Sequence, residues 1–351
     1  MSRIINYVQA TNEALQEALR QDPNVICYGL GADDPRGIFG TTLGLQEEFG
    51  AERVFDMPTS ENAMTGIGIG ASLNGIRPVM THQRLDFFLL AMDQLVNNAA
   101  KWRYMFGGRF SVPITIRLII GRGWGQGPTH SQSLQSWFAH IPGLRVVMPS
   151  NARDAKGLLL ESIFCDDPVV ILEHRWLHNS TAEVPEGDFR VPLGKADVIV
   201  EGDALTVVSM SYLTVEARLA VAAFQEQEVN IELLDLRTIA PIDWSAIYKS
   251  VNKTGRLLVL DTGVKTCSVA GEIIASVVEN CWSALKQPPV RMTMPDIPEP
   301  TSFGLTKNFY IRAETIAERI AKIIDCSMEN IALPVEAEFH DVPGDWFKGP
   351  F

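Results

Sequence analysis

RVFDMPTSENAMTGIGIGASLNGIRPVMTHQ, residues 53–83, is the stretch whose reading decides the fold. RVFDMP has the length and content of a short buried strand, and RPVMTHQ of a second. Between them ENAMTGIGIGASLNG reads as a helix, with Thr59 and Ser60 placed to cap its first turn. Strand, helix and strand in about thirty residues make the repeating unit of a parallel sheet. Gly66, Gly68 and Gly70 imitate part of a dinucleotide fingerprint, but that motif needs its glycines at the strand-to-helix turn. Here Pro58 to Glu61 occupy the turn and the glycines fall inside the helix. A glycine there costs about 1 kcal/mol, so several predict a tight helix–helix contact, within the chain or between subunits.

Outward from this unit the alternation continues. Residues 6–20 have helical spacing, with Val8, Leu15 and Leu19 on the apolar face, and NVICYGLGADDPRGIFG reads as a strand entering a Gly/Pro-rich loop. Downstream come a long helix from about Leu90 to Tyr104, the strand VPITIRLII, the loop GRGWGQGPTHSQS, and the strands RVVMPS and DPVVILEH. Residues 175–194 carry no period and read as a linker, after which strands and helices alternate again to about residue 326. The pattern predicts an α/β chain of two doubly wound domains. The expected boundaries are 1–180 for the first domain, 181–195 for the linker, 196–326 for the second domain and 327–351 for a tail. In that tail Pro334, Pro343 and Pro350 oppose a helix. Trp346, Phe347 and Phe351 favour an extended segment packed on the chain itself or on a partner.

At 351 residues the chain is long for one core, and no apolar run approaches the roughly 20 residues a membrane helix needs. Its first residues break every apolar run with Asn, Gln or Glu, which predicts a cytoplasmic protein without a secretory signal. Five cysteines with no CxxC pair fit reduced thiols. A net charge of −12 opposes nucleic acid as a partner. His174 and His178 are four apart but follow a strand and lack the H-E-x-x-H pattern of a zinc site. Ser131 beside His130 is no nucleophile elbow, because G-x-S-x-G is absent. His130, in a glycine-rich loop, is as readily a structural group as a catalytic one. Glu61 could merely complement its helix dipole. Its setting after a strand, a proline and a cap places it where α/β sites form, at the carboxyl end of a parallel strand.

Together FGAERVFDMPTSE (49–61), GASLNGIRPV (70–79), AMDQLVNNAAKWRYMFGG (91–108) and HSQSLQSWFAHIPGLRVVMPS (130–150) resemble the beta subunits of pyruvate, branched-chain 2-oxo acid and acetoin dehydrogenases. DAKGLL (154–159), DDPVVILEH (166–174), PLGKADV (192–198) and DLRTIAPID (235–243) extend the resemblance to residues 5–325. These are thiamine-diphosphate-dependent enzymes of the transketolase-like superfamily. The resemblance implies a pyrimidine-binding first domain, a transketolase C-terminal-like second domain, and an α₂β₂ heterotetramer with a beta–beta contact. It implies an alpha subunit that holds Mg²⁺ and the diphosphate, a 2-oxo acid substrate, and a lipoyl-carrier acyltransferase as acyl acceptor. Glu61 matches the glutamate that bonds the pyrimidine ring nitrogen, and Phe87 the aromatic packed on that ring. Gln83 takes another pyrimidine-side position, and His130 matches a histidine near the reacting carbon. No Gly-Asp-Gly with its following Asn pair occurs, so no metal is expected on this chain.

The chain also departs from the pattern. Ala32-Asp33-Asp34 follows Gly31 where Gly-Glu-Asp is common, and Thr81, His82 and Arg84 replace a Glu-Phe neighbourhood. Gln135 stands for a frequent Glu, and Leu90 for a carboxylate of some members. Two other readings stay open: a two-chain transketolase or carboligase acting without a lipoyl carrier, and a scaffold without catalysis. Retention of Glu61, Phe87 and His130 argues against the scaffold.

Overall fold

The computed structural model describes residues 2–34, 36, 38–123, 125–329, 331–333, 340–344 and 347. Pro334, Trp346, Pro350 and Phe351 lie outside the described residues. The strands in chain order are β1 (Ser2–Asn6), β2 (Val25–Gly29), β3 (Val54–Asp56), β4 (Arg77–His82), β5 (Thr115–Ile120), β6 (Arg145–Val147) and β7 (Val169–His174). They continue as β8 (Thr181–Pro185), β9 (Asp197–Val200), β10 (Leu205–Ser209), β11 (Ile231–Asp235), β12 (Thr238–Ala240), β13 (Leu257–Val264) and β14 (Val290–Met294).

A seven-stranded sheet runs in the order β12-β6-β7-β5-β4-β2-β3, parallel except for β12. Its central strands are buried along their whole length, as TIRLII and VVILEH show, because helices cover both faces. One face packs Tyr28, Met80, Phe88, Ile116 and Leu118, and the other Leu15, Leu19, Cys27, Val79 and Leu158. A five-stranded sheet, β14-β13-β10-β11-β9, forms the second unit. The first apolar cluster continues into it through Val208, Leu234, Val259 and Ile273. The α/β, doubly wound reading therefore holds in both halves. In the first sheet β2 lies between β3 and β4, so the strand order reverses at the β2/β4 boundary. A ligand crevice is expected there, outside the carboxyl ends of the strands.

Three elements differ from the sequence reading. The stretch read as a linker contains β8, which pairs antiparallel with β1 from Ser2↔Pro185 to Asn6↔Thr181. β12 comes from the second half of the chain yet adds to the first sheet, with Thr238 opposite Val147. The long helix from Leu90 is broken into a 3-10 turn (Leu89–Ala91), a π-helix (Gln94–Ala99) and an α-helix (Ala100–Met105).

The helix after β3 spans Glu61–Ser72, and Ser60 takes its cap position without a capping hydrogen bond from the side chain. The helix glycines have separate reasons. A Cβ on Gly68 would stand 2.1 Å from the Tyr28 hydroxyl and 2.8 Å from Ile114 Cδ1, whereas one on Gly70 would meet nothing within 4 Å. Gly68 thus serves packing on a side chain from the sheet, where a helix–helix contact was expected. Only Gly66 faces another helical turn, at Gln94.

Candidate active site

The carboxyl ends of β3, β2, β4 and β5 lie side by side, and the candidate residues follow them. Asp56, closing β3, accepts the backbone N–H groups of Gly31 (2.8 Å) and Ala32 (2.6 Å), which ties down the loop after β2. Five residues on, Glu61 begins its helix with only 9% of its surface exposed. Among the described residues no group hydrogen-bonds its carboxylate, and its nearest charged or chargeable neighbour is His82, Nε2 to Oε1 4.0 Å. His82 ends β4 on the same sheet face as Met80, whose sulfur accepts from Thr65 Oγ1 at 3.6 Å.

Gln83 and Arg84 follow β4 and lead into a one-turn helix, Leu85–Phe88, that carries Asp86 and Phe87. Gln83 is exposed, and its amide nitrogen lies over Gly31. Phe87 is 40% exposed, a large apolar ring held at the surface. The His130 ring meets it edge-on, centroids 5.1 Å apart and planes at 87°. His130 is fixed further by its backbone N–H to the Gly127 carbonyl (3.2 Å) and by Nδ1 against Thr129 Oγ1 (3.1 Å). The structure therefore brings Phe87 and His130 together, sets Glu61 and His82 side by side, and places the Gln83 side chain at Gly31.

The glycine-rich loop that delivers His130 is anchored by buried cations and an indole. Arg84 donates to the Gly121 carbonyl (2.9 Å) and to the Gln126 side chain. Trp176 Nε1 donates to the Gly123 carbonyl at 3.0 Å. Arg122 donates to the Pro300 carbonyl (2.8 Å) and to Asp341 of the tail (2.7 Å). At Gly121 the backbone has φ +72°, and a Cβ would lie 2.3 Å from His174 Nε2, so only glycine fits. Burial, aided by the Arg84 charge, pushes His174 down to about 3, which keeps its ring neutral beneath the loop. Glu299 accepts from the Tyr310 hydroxyl. Burial pushes its carboxyl up to about 7 despite the Arg122 and Arg84 charges. None of these anchors follows from a motif; they are set by contacts between distant segments.

Two grooves of about 1030 Å³ each lie elsewhere. One, lined by Met92, Trp137, His140, Trp244 and Glu272 among others, runs between the two sheets, and neither includes Glu61, Gln83, Phe87 or His130.

The seven-stranded sheet, whose order reverses between β2 and β4, carries Glu61 after β3 beside His82 at the end of β4, and the Phe87–His130 pair after β4 and β5. The sequence matches the family described as "Transketolase, pyrimidine binding domain" over residues 3–180, and "Transketolase, C-terminal domain" over residues 194–316. It is 40% identical over 318 residues to a pyruvate dehydrogenase E1 component subunit beta of Mycoplasma genitalium, covering 90% of this chain and 98% of that protein. It is 41% identical over 314 residues (86% and 92%) to the acetoin:2,6-dichlorophenolindophenol oxidoreductase subunit beta of Bacillus subtilis. A 2-oxoisovalerate dehydrogenase subunit beta of the same organism is 36% identical over 324 residues (92% and 99%). The fold is shared with a solved chain described as "Split gene transketolase, inactive beta4 tetramer", at TM-score 0.73 and 18% identity, covering 92% of this chain and 98% of that one. The chain belongs to the transketolase-like family of 2-oxo acid dehydrogenase beta subunits.

Proposed function

We infer that this chain is the beta subunit of a two-chain, thiamine-diphosphate-dependent 2-oxo acid dehydrogenase, and that it holds the cofactor's aminopyrimidine ring. One observation carries the reading: Glu61 is nearly buried at the crevice while nothing hydrogen-bonds its carboxylate. A carboxylate largely enclosed by the chain, without a donor from any described residue, keeps its acceptor sites open to a ligand, and a ring nitrogen would supply that partner. The donor set fits the cofactor: Glu61 would bond the ring nitrogen, the exposed Phe87 face would cover the ring and exclude water, and Gln83 would border it. When bound, thiamine diphosphate would supply an acidic thiazolium carbon as the nucleophile toward a 2-oxo group. Glu61 contributes by sharing a proton with the ring and so selecting its tautomer. His130, its Nδ1 held by Thr129, has Nε2 free to donate to or accept from the reacting side.

On this reading residues 1–180 are the pyrimidine-binding domain, 181–195 the linker, 196–326 the C-terminal domain and 327–351 the tail. Mg²⁺ and the diphosphate fall to an alpha subunit in an α₂β₂ heterotetramer, and the acyl group passes to a lipoyl carrier. Among the described residues no group of three or more His, Cys, Asp or Glu is placed to hold a metal ion. No helix among them is long and apolar enough to cross a membrane. The cytoplasmic assignment rests on the N-terminal sequence, which breaks every apolar run with Asn, Gln or Glu.

The test is C2 proton exchange of thiamine diphosphate bound to the complex with the alpha subunit. Glu61→Gln keeps the shape but weakens the charge-assisted bond, so exchange should fall by roughly 100-fold or more while assembly is retained. Wild-type exchange in that variant overturns the role of Glu61. Oxidation of a 2-oxo acid only when a lipoyl carrier is supplied would establish the acceptor. Turnover with an aldehyde acceptor instead would replace it by carboligation.

A further inference from the structure

Beside Glu61 lies a second side chain that nothing satisfies. His82 is buried, 1% exposed, and neither of its ring nitrogens is hydrogen-bonded. Its ring stands edge-on to Phe88, centroids 6.0 Å apart. The Arg84 backbone comes near without the geometry of a hydrogen bond. The charged group that acts on it is Glu61, 4.0 Å away. A buried imidazole with both nitrogens idle is a costly arrangement, retained where the ring gains a partner in another state of the site.

We propose that His82 is a positioning residue for Glu61, donating Nε2–H to one carboxylate oxygen so that the other is presented to the cofactor ring; this rests on the reading of Glu61 given above. A charge-assisted bond of this type forms at about 2.7–2.9 Å, so the carboxylate has to close roughly 1 Å, within reach of a Glu side-chain rotation. A neutral ring is needed for a defined donor nitrogen, and burial holds His82 below its usual protonation range against the pull of Glu61. Packing alone would account for an apolar residue here, not for a histidine whose nitrogen faces the one unpartnered carboxylate of the crevice.

The experiment compares His82→Leu, His82→Gln and Glu61→Gln in the alpha–beta complex. It reads cofactor affinity by calorimetry, melting of the cofactor-free complex, and C2 proton exchange against pH. His82→Leu should slow exchange about 10–100-fold, with cofactor affinity within roughly threefold of wild type. His82→Gln keeps an N–H donor and should recover exchange to within about fivefold of wild type. Unchanged exchange in His82→Leu overturns the proposal, as does equal damage in the Leu and Gln variants. If the Leu variant fails to assemble, His82→Gln decides: slow exchange at wild-type affinity and melting overturns it. Full exchange in Glu61→Gln would instead remove the underlying role of Glu61, an outcome distinct from failure at His82.

Discussion

Carboxylates in this chain are held in two ways, and the difference separates structural from functional acids at the scale of single residues. Asp261 is saturated: Gln135 Nε2 at 2.6 Å, Gly263 N–H at 2.8 Å and Ala270 N–H at 3.0 Å all donate to it. Gln135 departs from the family's frequent Glu, and here a second carboxylate would face Asp261 in a buried site. Asp235, wholly buried, accepts from Ser150 and from the Arg237 N–H (3.2 Å), yet burial pushes its carboxyl up to about 7. With the folded pKa above the unfolded one, its contribution is complete below about pH 4 and lost as pH rises through about 7. The stability difference between wild type and Asp235→Asn should therefore move by roughly 3 kcal/mol in favour of Asn between pH 4.5 and 7.5. Denaturant unfolding of both proteins across that range measures it, and the buried histidines cancel because both share them. At the site itself, His130→Ala should lower kcat by about 10²–10⁴ while cofactor affinity changes little. Single-turnover kinetics with calorimetry separates the two. Glu61, Phe87 and His130 could be singled out as candidates because local motifs carry them. His82 was visible only as a departure, since its meaning lies in two idle nitrogens and a distance to another segment.

Elements were legible where their periodicity is local. Buried strands such as VVILEH and the amphipathic helix Ala313–Ile324 need no distant partner to be recognised. β1 and β8 make each other half-regular across some 180 residues of sequence, and neither has a period of its own. The π-helix Gln94–Ala99 hides because one extra residue per turn leaves the apolar pattern nearly unchanged. The glycine helix gives a paired prediction. Gly68→Ala forces its methyl into the Tyr28 hydroxyl and Ile114 and should destabilise the chain by about 1–3 kcal/mol. A Cβ on Gly70 meets nothing in this chain, so loss of the tetramer in sedimentation of Gly70→Ala would report a contact made by a partner. The tail offers a third. Asp341 pairs with Arg122, whose side chain is 1% exposed, and Arg312 donates to the Val342 carbonyl at 3.1 Å. The His340 ring packs on Phe303, centroids 4.0 Å apart, and Phe347 lies 5.5 Å from the Arg175 guanidinium. The described part of the tail thus packs on the chain's own surface, one of the two places expected for it. Asp341→Ala strands Arg122 in a buried site and should cost about 3–5 kcal/mol in urea unfolding, with earlier proteolysis of the 121–127 loop.

At the scale of the whole molecule, the proposed function gives this chain half of a charged cofactor's needs. Its candidate groups Glu61, Phe87 and His130 suit an aromatic ring and a proton, and the diphosphate would fall to the proposed alpha subunit. The net charge of −12 opposes a polyanion further. Ring contacts alone have to offset the loss of translational and rotational freedom on binding, and a stack with one charge-assisted bond leaves little surplus. Apolar side chains stand exposed around the crevice, Ile67 at 54%, Phe87 at 40% and Leu90 at 67%, as expected of a surface that another subunit covers. The purified chain should therefore bind thiamine diphosphate at least about 100-fold more weakly than the alpha–beta complex, a gap of roughly 2.7 kcal/mol or more, with magnesium present in both. Titration calorimetry on the two preparations measures it. Adding magnesium to the isolated chain should change its affinity little, because on the proposed function the metal's ligands would lie on the alpha subunit. Tight, magnesium-dependent binding by the isolated chain would place a diphosphate site within these 351 residues and remove the division of labour between the two subunits.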